Sequence, residues 1–216
     1  EIILNAVLDA GIDYIDTSID YGVSEERIGR YISHRRSEYY LASKCGCLVG
    51  APTAPVGQTS PHVFTRDNII AGVEQSLRRM KTDYLDVVQF HISPSKQTLE
   101  ENGAIDAVMD LKQSGKVRFI GMSGTLPHLK DHIGMGVFDV FQIPYSLAEP
   151  EHGELISKAA AAGAGTVIRG GAAKGAWDGV ELDDLLDGAS KTEFILRLTL
   201  SHPDLHTTIV GTANTE

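Results

Sequence analysis

The sequence predicts an α/β protein with a wholly parallel sheet. Seven short apolar runs alternate with seven segments in which apolar residues recur at helical spacing. The run 84–90 is apolar almost without interruption, which is typical of a strand buried on both faces of a parallel sheet. Strict alternation of strand and helix fits either a (β/α)8 barrel or a doubly wound sheet.

The predicted elements follow one another in chain order. A first helix ends at Gly11, the strand 14–17 follows, and Ser24 is expected to cap the helix that runs through Ile32. The clearest helix begins at residue 65 or 66 and has apolar residues at helical spacing, namely Ile69, Val73, Leu77 and Met80. The other predicted strands are 39–43, 84–90, 117–122, 138–143, 166–169 and 207–210. The other predicted helices are 99–113, 126–133, 150–162 and 191–201.

The number of predicted strands bears on how the sheet closes. A closed barrel of this kind has eight strands and no edge, whereas seven strands leave two exposed edges. The chain begins in a helix and stops after its last strand. We therefore expect a single barrel domain over residues 1–216 that lacks its first strand and last helix and is incomplete at both ends. The long Gly- and Pro-rich loop 45–64 follows a strand end and is expected to form a flap over a pocket.

Composition excludes several classes of function. A net charge of −10 over 216 residues argues against a nucleic-acid binder. No apolar run approaches the ~20 residues of a membrane span, and the N-terminus lacks the features of a signal peptide. The only cysteines, Cys45 and Cys47, lie too close together for an unstrained bridge, and no pair at ligand spacing indicates a metal site. Two reduced thiols point to a reducing compartment, the cytoplasm.

Four residues suited to proton and hydride chemistry follow strand-like runs. They are Asp16, Tyr21, Lys44 and His91. In a chain that alternates strands with helices, the carboxyl ends of successive strands gather at one mouth of the sheet, where such folds place their chemistry. Each residue alone also has an ordinary structural explanation, such as packing or a hydrogen bond in the core. Together at one mouth, they predict a phenol acid tuned by its neighbours.

Five short motifs carry a resemblance to a known family, each at the expected strand and in the expected order. They are segments 15–22, 42–44, 89–91, 121–124 and 142–146. The chain resembles the aldo-keto reductase superfamily over essentially its whole length. The resemblance implies a (β/α)8 barrel that binds NADPH, or sometimes NADH, at its carboxyl-terminal mouth. It also implies reduction of an aldehyde or ketone, or oxidation of an alcohol.

The resemblance assigns a role to each of the four residues. Tyr21 is the general acid, and Lys44 and Asp16 tune it, because a phenol with a pKa near ~10 needs a nearby cation to act at neutral pH. His91 orients the carbonyl oxygen of the substrate.

Further positions match the family's cofactor site. Ser123 and Gln142 are expected to hold the nicotinamide carboxamide, and Arg169 stands where an aromatic residue commonly stacks on the ring. The remaining expected contacts, to the phosphates, are Gly170, Gly171, Lys174, Gly211, Thr212 and Asn214. The chain stops before the region that reads the 2′-phosphate, so the choice between NADP and NAD is not predicted.

Two other hypotheses stay open at this point. One is a non-catalytic NADPH-binding regulatory subunit of the same fold, and the other is an incomplete reductase fragment. The identity of the carbonyl substrate and the oligomeric state are not predicted.

Overall fold

The computed structural model describes residues 1–51, 60–146, 149–172, 186 and 188–211. The chain separates into two compact units, Glu1–Ser123 and Gly124–Gly211. The prediction of a single barrel domain stays a prediction. None of the described helices is both long enough and apolar enough to span a membrane.

Four parallel strands form the sheet of the first unit, and they lie side by side in chain order. They are β1 (Tyr14–Asp16), β2 (Tyr40–Cys45), β3 (Leu85–Phe90) and β4 (Val117–Ser123). Every residue of β3 is buried, as its nearly continuous apolar run predicts. The register pairs Asp16 with Ala42, and Lys44 with Gln89, so the carboxyl ends of the strands share one edge.

Helices of the first unit cover this sheet. They are α1 (Ile2–Asp9), α2 (Ser24–Tyr31), α3 (Arg66–Met80), α4 (Lys96–Glu101) and α5 (Ala104–Gln113), with a 3-10 helix at Ser33–Glu38. The apolar face predicted for α3 is buried. Helix α2 packs closely on α3. A Cβ added to Gly29 in α2 would lie only 2.0 Å from the carbonyl oxygen of Arg79 in α3.

Two details of the helices differ from the prediction. The segment predicted as one helix over 99–113 forms two, because Gly103 adopts a left-handed conformation with a φ of +66°. Ser24 lies inside α2 rather than at its cap, and its hydroxyl accepts a hydrogen bond from the Thr17 hydroxyl at 2.8 Å.

A buried carboxylate ties several elements of the first unit together. Asp86, in β3, is 1% exposed. It accepts hydrogen bonds from Arg36 at 2.6 Å, from Arg118 at 2.7 Å and from the backbone N–H of Leu41 at 2.8 Å. One side chain therefore holds β2, β3, β4 and the 3-10 helix in register.

The second unit repeats the same architecture. Its parallel strands are β5 (Val140–Pro144), β6 (Gly165–Arg169) and β7 (Thr207–Ile209), again in chain order. Its helices are α6 (Leu129–Met135), α7 (Gly153–Ala161) and α8 (Lys191–Leu200), with a 3-10 helix at Pro150–His152. All seven predicted strands are therefore present among the described residues, with boundaries that move by at most two residues.

Candidate active site

The four residues expected to carry the chemistry lie at the carboxyl edge of the sheet in the first unit. Asp16 is the last residue of β1, and Lys44 is the penultimate residue of β2. His91 directly follows β3, where its backbone N–H bonds to the carbonyl of Cys45 at 3.1 Å. Tyr21 lies in the turn that connects β1 to α2. The parallel register brings all four to one edge.

A buried ion pair forms the base of this site. The Lys44 ammonium lies 2.6 Å from an Asp16 carboxylate oxygen and donates a second hydrogen bond to the carbonyl of Thr17 at 2.9 Å. The lysine side chain is 1% exposed, and that of the aspartate is 7% exposed. A charge so well buried stays ionised only when it is paired and hydrogen-bonded, and this pair meets that condition.

Gln89 completes the pair, a role that the sequence analysis did not assign. Its amide donates to the other Asp16 oxygen at 3.0 Å. Gln89 lies in β3, two residues before His91, so the pleat of the strand puts both side chains on the same face. The available signal was a polar residue within a strand of mostly apolar residues.

Tyr21 combines accessibility with proximity to this charge. It is 48% exposed, although the lysine beside it is buried. The Lys44 ammonium lies 5.4 Å from the centre of the Tyr21 ring. The ring meets His91 edge to face, with 6.0 Å between the ring centres. About half of Tyr21 is therefore open to solvent, while the ammonium near its ring is shielded from water.

Burial controls the protonation of His91. Loss of solvent, and then the positive charge of Lys44, lower the pKa of His91 to about 4. The imidazole is therefore neutral near pH 7 and can donate one hydrogen bond and accept another.

Three further titratable side chains surround His91. The Nδ1 atom of His91 lies 3.2 Å from His62 Nε2, 3.4 Å from Cys47 Sγ and 3.7 Å from an Asp20 oxygen. Burial and the nearby Asp20 raise the pKa of the Cys47 thiol to about 12, and both cysteines are free. The sequence analysis gave these three residues no part in a site, because each comes from a different stretch of chain.

The expected cofactor residues that the structure describes lie within their strands or at and just beyond the carboxyl ends. Ser123 ends β4 in the first unit. In the second unit, Gln142 lies in β5 and is 1% exposed, Arg169 ends β6, and Gly211 lies just after β7. Lys174, Thr212 and Asn214 lie outside the described residues.

The turn after β6 is built for glycine. Gly170 has a φ of +76°, and a Cβ added to Gly171 would lie 2.6 Å from the Thr208 hydroxyl. The Thr199 hydroxyl donates to the Gly171 carbonyl at 2.9 Å. This turn brings its backbone close to β7 and α8 without a side chain between them, and the Arg169 guanidinium that precedes it offers hydrogen-bond donors. The donor set therefore fits an anionic nucleotide.

The chain is similar to known oxidoreductases. A family model described as the aldo/keto reductase family matches residues 1–185. The uncharacterized oxidoreductase YqkF of Bacillus subtilis is 27% identical over 196 residues, which cover 89% of this chain and 62% of YqkF. The aldo-keto reductase YhdN of the same bacterium is 32% identical over 158 residues, which cover 71% of this chain and 45% of YhdN.

A solved structure agrees with these matches. The holo form of aldo-keto reductase AKR11C1 from Bacillus halodurans aligns with a TM-score of 0.81 at 25% identity, covering 95% of this chain and 74% of that protein. This agreement confirms the predicted α/β barrel class. The chain spans only 62% and 45% of the lengths of the two curated relatives.

Proposed function

This chain belongs to the aldo-keto reductase family, and on that premise we propose that it reduces an aldehyde or ketone to an alcohol, with NADPH or NADH as hydride donor. The observation that carries the proposal is the buried Lys44–Asp16 ion pair beside the accessible phenol of Tyr21. A surface tyrosine with no chemical role would not need a buried ammonium 5.4 Å from the centre of its ring. A tuned proton donor, in contrast, does use such an arrangement of four residues.

Tyr21 is the proposed general acid. Hydride transfer to a carbonyl carbon leaves negative charge on the oxygen, and a nearby proton donor lowers the barrier to that step. An ordinary phenol has a pKa near ~10, so its anion must be stabilised for it to donate at neutral pH. The Lys44 ammonium supplies that stabilisation from within a shielded site. Asp16 and the Thr17 carbonyl hold the ammonium in place.

His91 is the proposed substrate-orienting residue. Because its imidazole is neutral near pH 7, an N–H group can donate to the carbonyl oxygen without competing as a stronger acid. Its ring stands beside that of Tyr21. We infer that the two side chains address the same oxygen, Tyr21 through its hydroxyl and His91 through a ring N–H.

The cofactor would be held by the residues that the family resemblance assigns to it. The hydroxyl of Ser123 and the amide of Gln142 would bind the nicotinamide carboxamide, and Arg169 would lie against the ring. The glycine turn, Gly170 and Gly171, would take the phosphates, and the other proposed phosphate contacts are Lys174, Gly211, Thr212 and Asn214. When bound, the nicotinamide supplies the hydride. The proposed cellular setting is the cytoplasm, which the two free, buried thiols support.

A direct test combines cofactor binding with turnover. We expect the purified chain to bind NADPH or NADH in a fluorescence titration and to consume it with a panel of small aldehydes. Tyr21→Phe should lower turnover by about 10²–10⁴-fold and leave cofactor affinity nearly unchanged, because it removes only the acidic proton.

Tyr40→Phe is the matched control for this experiment. Tyr40 is 50% exposed, against 48% for Tyr21, but it lies at the opposite end of β2 from Lys44. The control variant should retain turnover. Equal losses in both variants would contradict the assignment of the acid. Cofactor binding without turnover would replace the reductase with a non-catalytic cofactor-binding subunit, and no binding would contradict the proposal for this chain.

A further inference from the structure

Four side chains from three separate segments converge beside the candidate acid. Each offers one atom that can ligate a metal, and these atoms all lie within 4.8 Å of one another. We call them the four-ligand cluster, and its members are Asp20, Cys47, His62 and His91. We propose that the four-ligand cluster binds one Zn²⁺ ion.

The distances within the cluster match a zinc coordination tetrahedron. Zinc bonds of ~2.0–2.1 Å to nitrogen and ~2.3 Å to sulfur give ligand separations of about 3.3 Å between two nitrogens and about 3.6 Å between nitrogen and sulfur. The separation of His62 Nε2 from His91 Nδ1 is 3.2 Å. Cys47 Sγ lies 3.5 Å from His62 Nε2 and 3.4 Å from His91 Nδ1. Three edges of the tetrahedron are therefore already present.

The donor types select zinc over other common cations. A thiolate and two imidazoles are soft or borderline ligands, which Mg²⁺ and Ca²⁺ do not favour. Asp20 can supply the fourth position, since one of its oxygens lies 3.7 Å from His91 Nδ1. Cysteine, histidine and carboxylate are each ligands that tetrahedral Zn²⁺ takes in proteins.

Outer contacts orient the ligands toward the centre of the cluster. His62 Nδ1 lies 2.6 Å from the Ser60 carbonyl oxygen, which can only accept, so Nδ1 carries the proton. The lone pair of Nε2 is therefore directed at Cys47 and His91. The second oxygen of Asp20 accepts a hydrogen bond from the Ser18 hydroxyl. Such partners, which fix the tautomer of a histidine and the orientation of a carboxylate, commonly support metal ligands.

The backbone holds two of the ligands face to face. Cys47 and His62 are paired across an antiparallel β-bridge. The bridge is flanked by hydrogen bonds from the N–H of Leu48 to the Pro61 carbonyl at 2.8 Å and from the N–H of Val63 to the Gly46 carbonyl at 2.7 Å.

Two residues lock this bridge in position. The Asn68 amide donates to the carbonyls of Cys47 and Val63, at 3.1 and 2.8 Å. Gly46 has a φ of +95°, and a Cβ there would lie 2.3 Å from the Phe64 ring. The ligands are thus placed by packed backbone, so little ordering entropy remains to be lost on metal binding.

Hydrogen bonds alone do not account for how closely all four ligand atoms approach one another. Since His62 Nε2 is an acceptor, one proton from His91 Nδ1 or from the Cys47 thiol can satisfy it. The three atoms nevertheless lie at mutual distances of 3.2–3.5 Å, with the Asp20 carboxylate beside them. One cation accounts for all four approaches. On binding, the Cys47 thiol loses its proton to solvent and becomes a thiolate ligand.

The ion would position a residue of the proposed reductase site, and this consequence rests on the proposed function. A metal on Nδ1 of His91 requires the ring proton to be on Nε2. The ion would thereby fix the tautomer and the ring orientation in which Nε2–H donates to the substrate oxygen. With four protein ligands, the site is closed and acts by positioning rather than as a Lewis acid.

Metal binding by the full chain, without cofactor, is the test. We expect the chelator-stripped protein, once reloaded with excess Zn²⁺, to retain one Zn²⁺ per chain after dialysis, measured by mass spectrometry of the metal. Co²⁺ should give tetrahedral ligand-field bands and a thiolate-to-cobalt charge-transfer band. Cys47→Ala should abolish that band and weaken Co²⁺ binding by more than the ~10–100-fold that loss of an outer-shell partner costs.

Cys45→Ala is the matched control, because Cys45 is also free and buried, two residues away. It should retain the band and the stoichiometry. His62→Ala, at a partly buried position, is a second ligand variant, and it should lose tight binding while keeping the wild-type circular dichroism spectrum. Absence of stoichiometric metal in the wild type, or equal binding by all variants, would overturn the proposal. Because no cofactor or substrate is present, this result is independent of the reductase assay.

Discussion

At the scale of single residues, Lys44 is the group on which the candidate chemistry depends. Its side chain is fully buried and ends in an ammonium group. Its partner Asp16 is held in turn by Gln89. A buried pair of this kind contributes little net stability, but loss of one partner leaves an uncompensated charge. We therefore propose that the pair serves Tyr21 rather than folding.

Variants of this pair separate stability from chemistry. Lys44→Met should reduce the free energy of unfolding by about 3–5 kcal/mol, because Asp16 stays buried without its cation. The double variant Asp16→Asn/Lys44→Met should recover much of that loss in urea unfolding. Turnover should remain low in both variants, since neither has a cation beside Tyr21. Recovery of turnover in the double variant would contradict the tuning role.

At the scale of secondary-structure elements, buried carboxylates hold the strands in register. Asp86 joins three strands and a 3-10 helix of the first unit. Arg36 extends the same network, since it donates to the carbonyls of Tyr39 and Tyr84 and lies 4.1 Å from the centre of the Tyr84 ring. These contacts lie in the strands and connections whose carboxyl ends carry the candidate site.

Loss of Asp86 should therefore be costly. Asp86→Ala should lower the free energy of unfolding by about 3 kcal/mol or more, because it leaves a buried guanidinium and a backbone N–H without their acceptor. The matched control is Asp110→Ala, which removes an exposed pair with Arg66 and should leave stability almost unchanged. Chemical denaturation monitored by circular dichroism measures the free energy of unfolding of both variants. A loss for Asp86→Ala as small as that of the control would contradict this account.

At the scale of the whole molecule, stability should depend on pH through buried neutral histidines. His152 is 3% exposed in the second unit. Its Nε2 accepts from the backbone N–H of Leu126 at 3.3 Å and lies 3.2 Å from the Thr125 hydroxyl, so the ring is neutral. Burial lowers the pKa of His152. Of the charged groups facing it, Arg169 lowers that pKa further, whereas Glu151 and Glu149 oppose the shift.

The lowered pKa of His152 sets the sign of its effect on stability. Below the ordinary histidine value of 6.5, the unfolded chain binds a proton that the folded chain does not. The stabilising contribution is therefore fully present above pH 6.5 and is lost as the pH falls through the lowered pKa of the folded state. His152→Gln keeps an acceptor but cannot titrate. The urea midpoint should fall less between pH 7.5 and 5.5 in this variant than in the wild type, and equal falls would contradict the role of His152.

The sequence by itself determined the strands and the residues at their ends. A buried parallel strand must be apolar on both faces, so runs such as 84–90 are visible without tertiary information. The alternation with helices then brings Asp16, Lys44 and His91 to one edge by topology alone. The split of the helix predicted over 99–113 was harder to predict, because a single Gly103 decides it through backbone conformation.

Only the tertiary structure decided which side chains meet around His91. Cys47, His62 and Asp20 show no ligand spacing in the sequence, because they come from a turn and from the two sides of a loop. A β-bridge, one asparagine and a glycine beside Phe64 close that loop. Periodicity reports which face of an element is buried, whereas convergence of distant segments depends on how connections close. For that reason the candidate acid was predictable from the sequence, and the four-ligand cluster beside it was not.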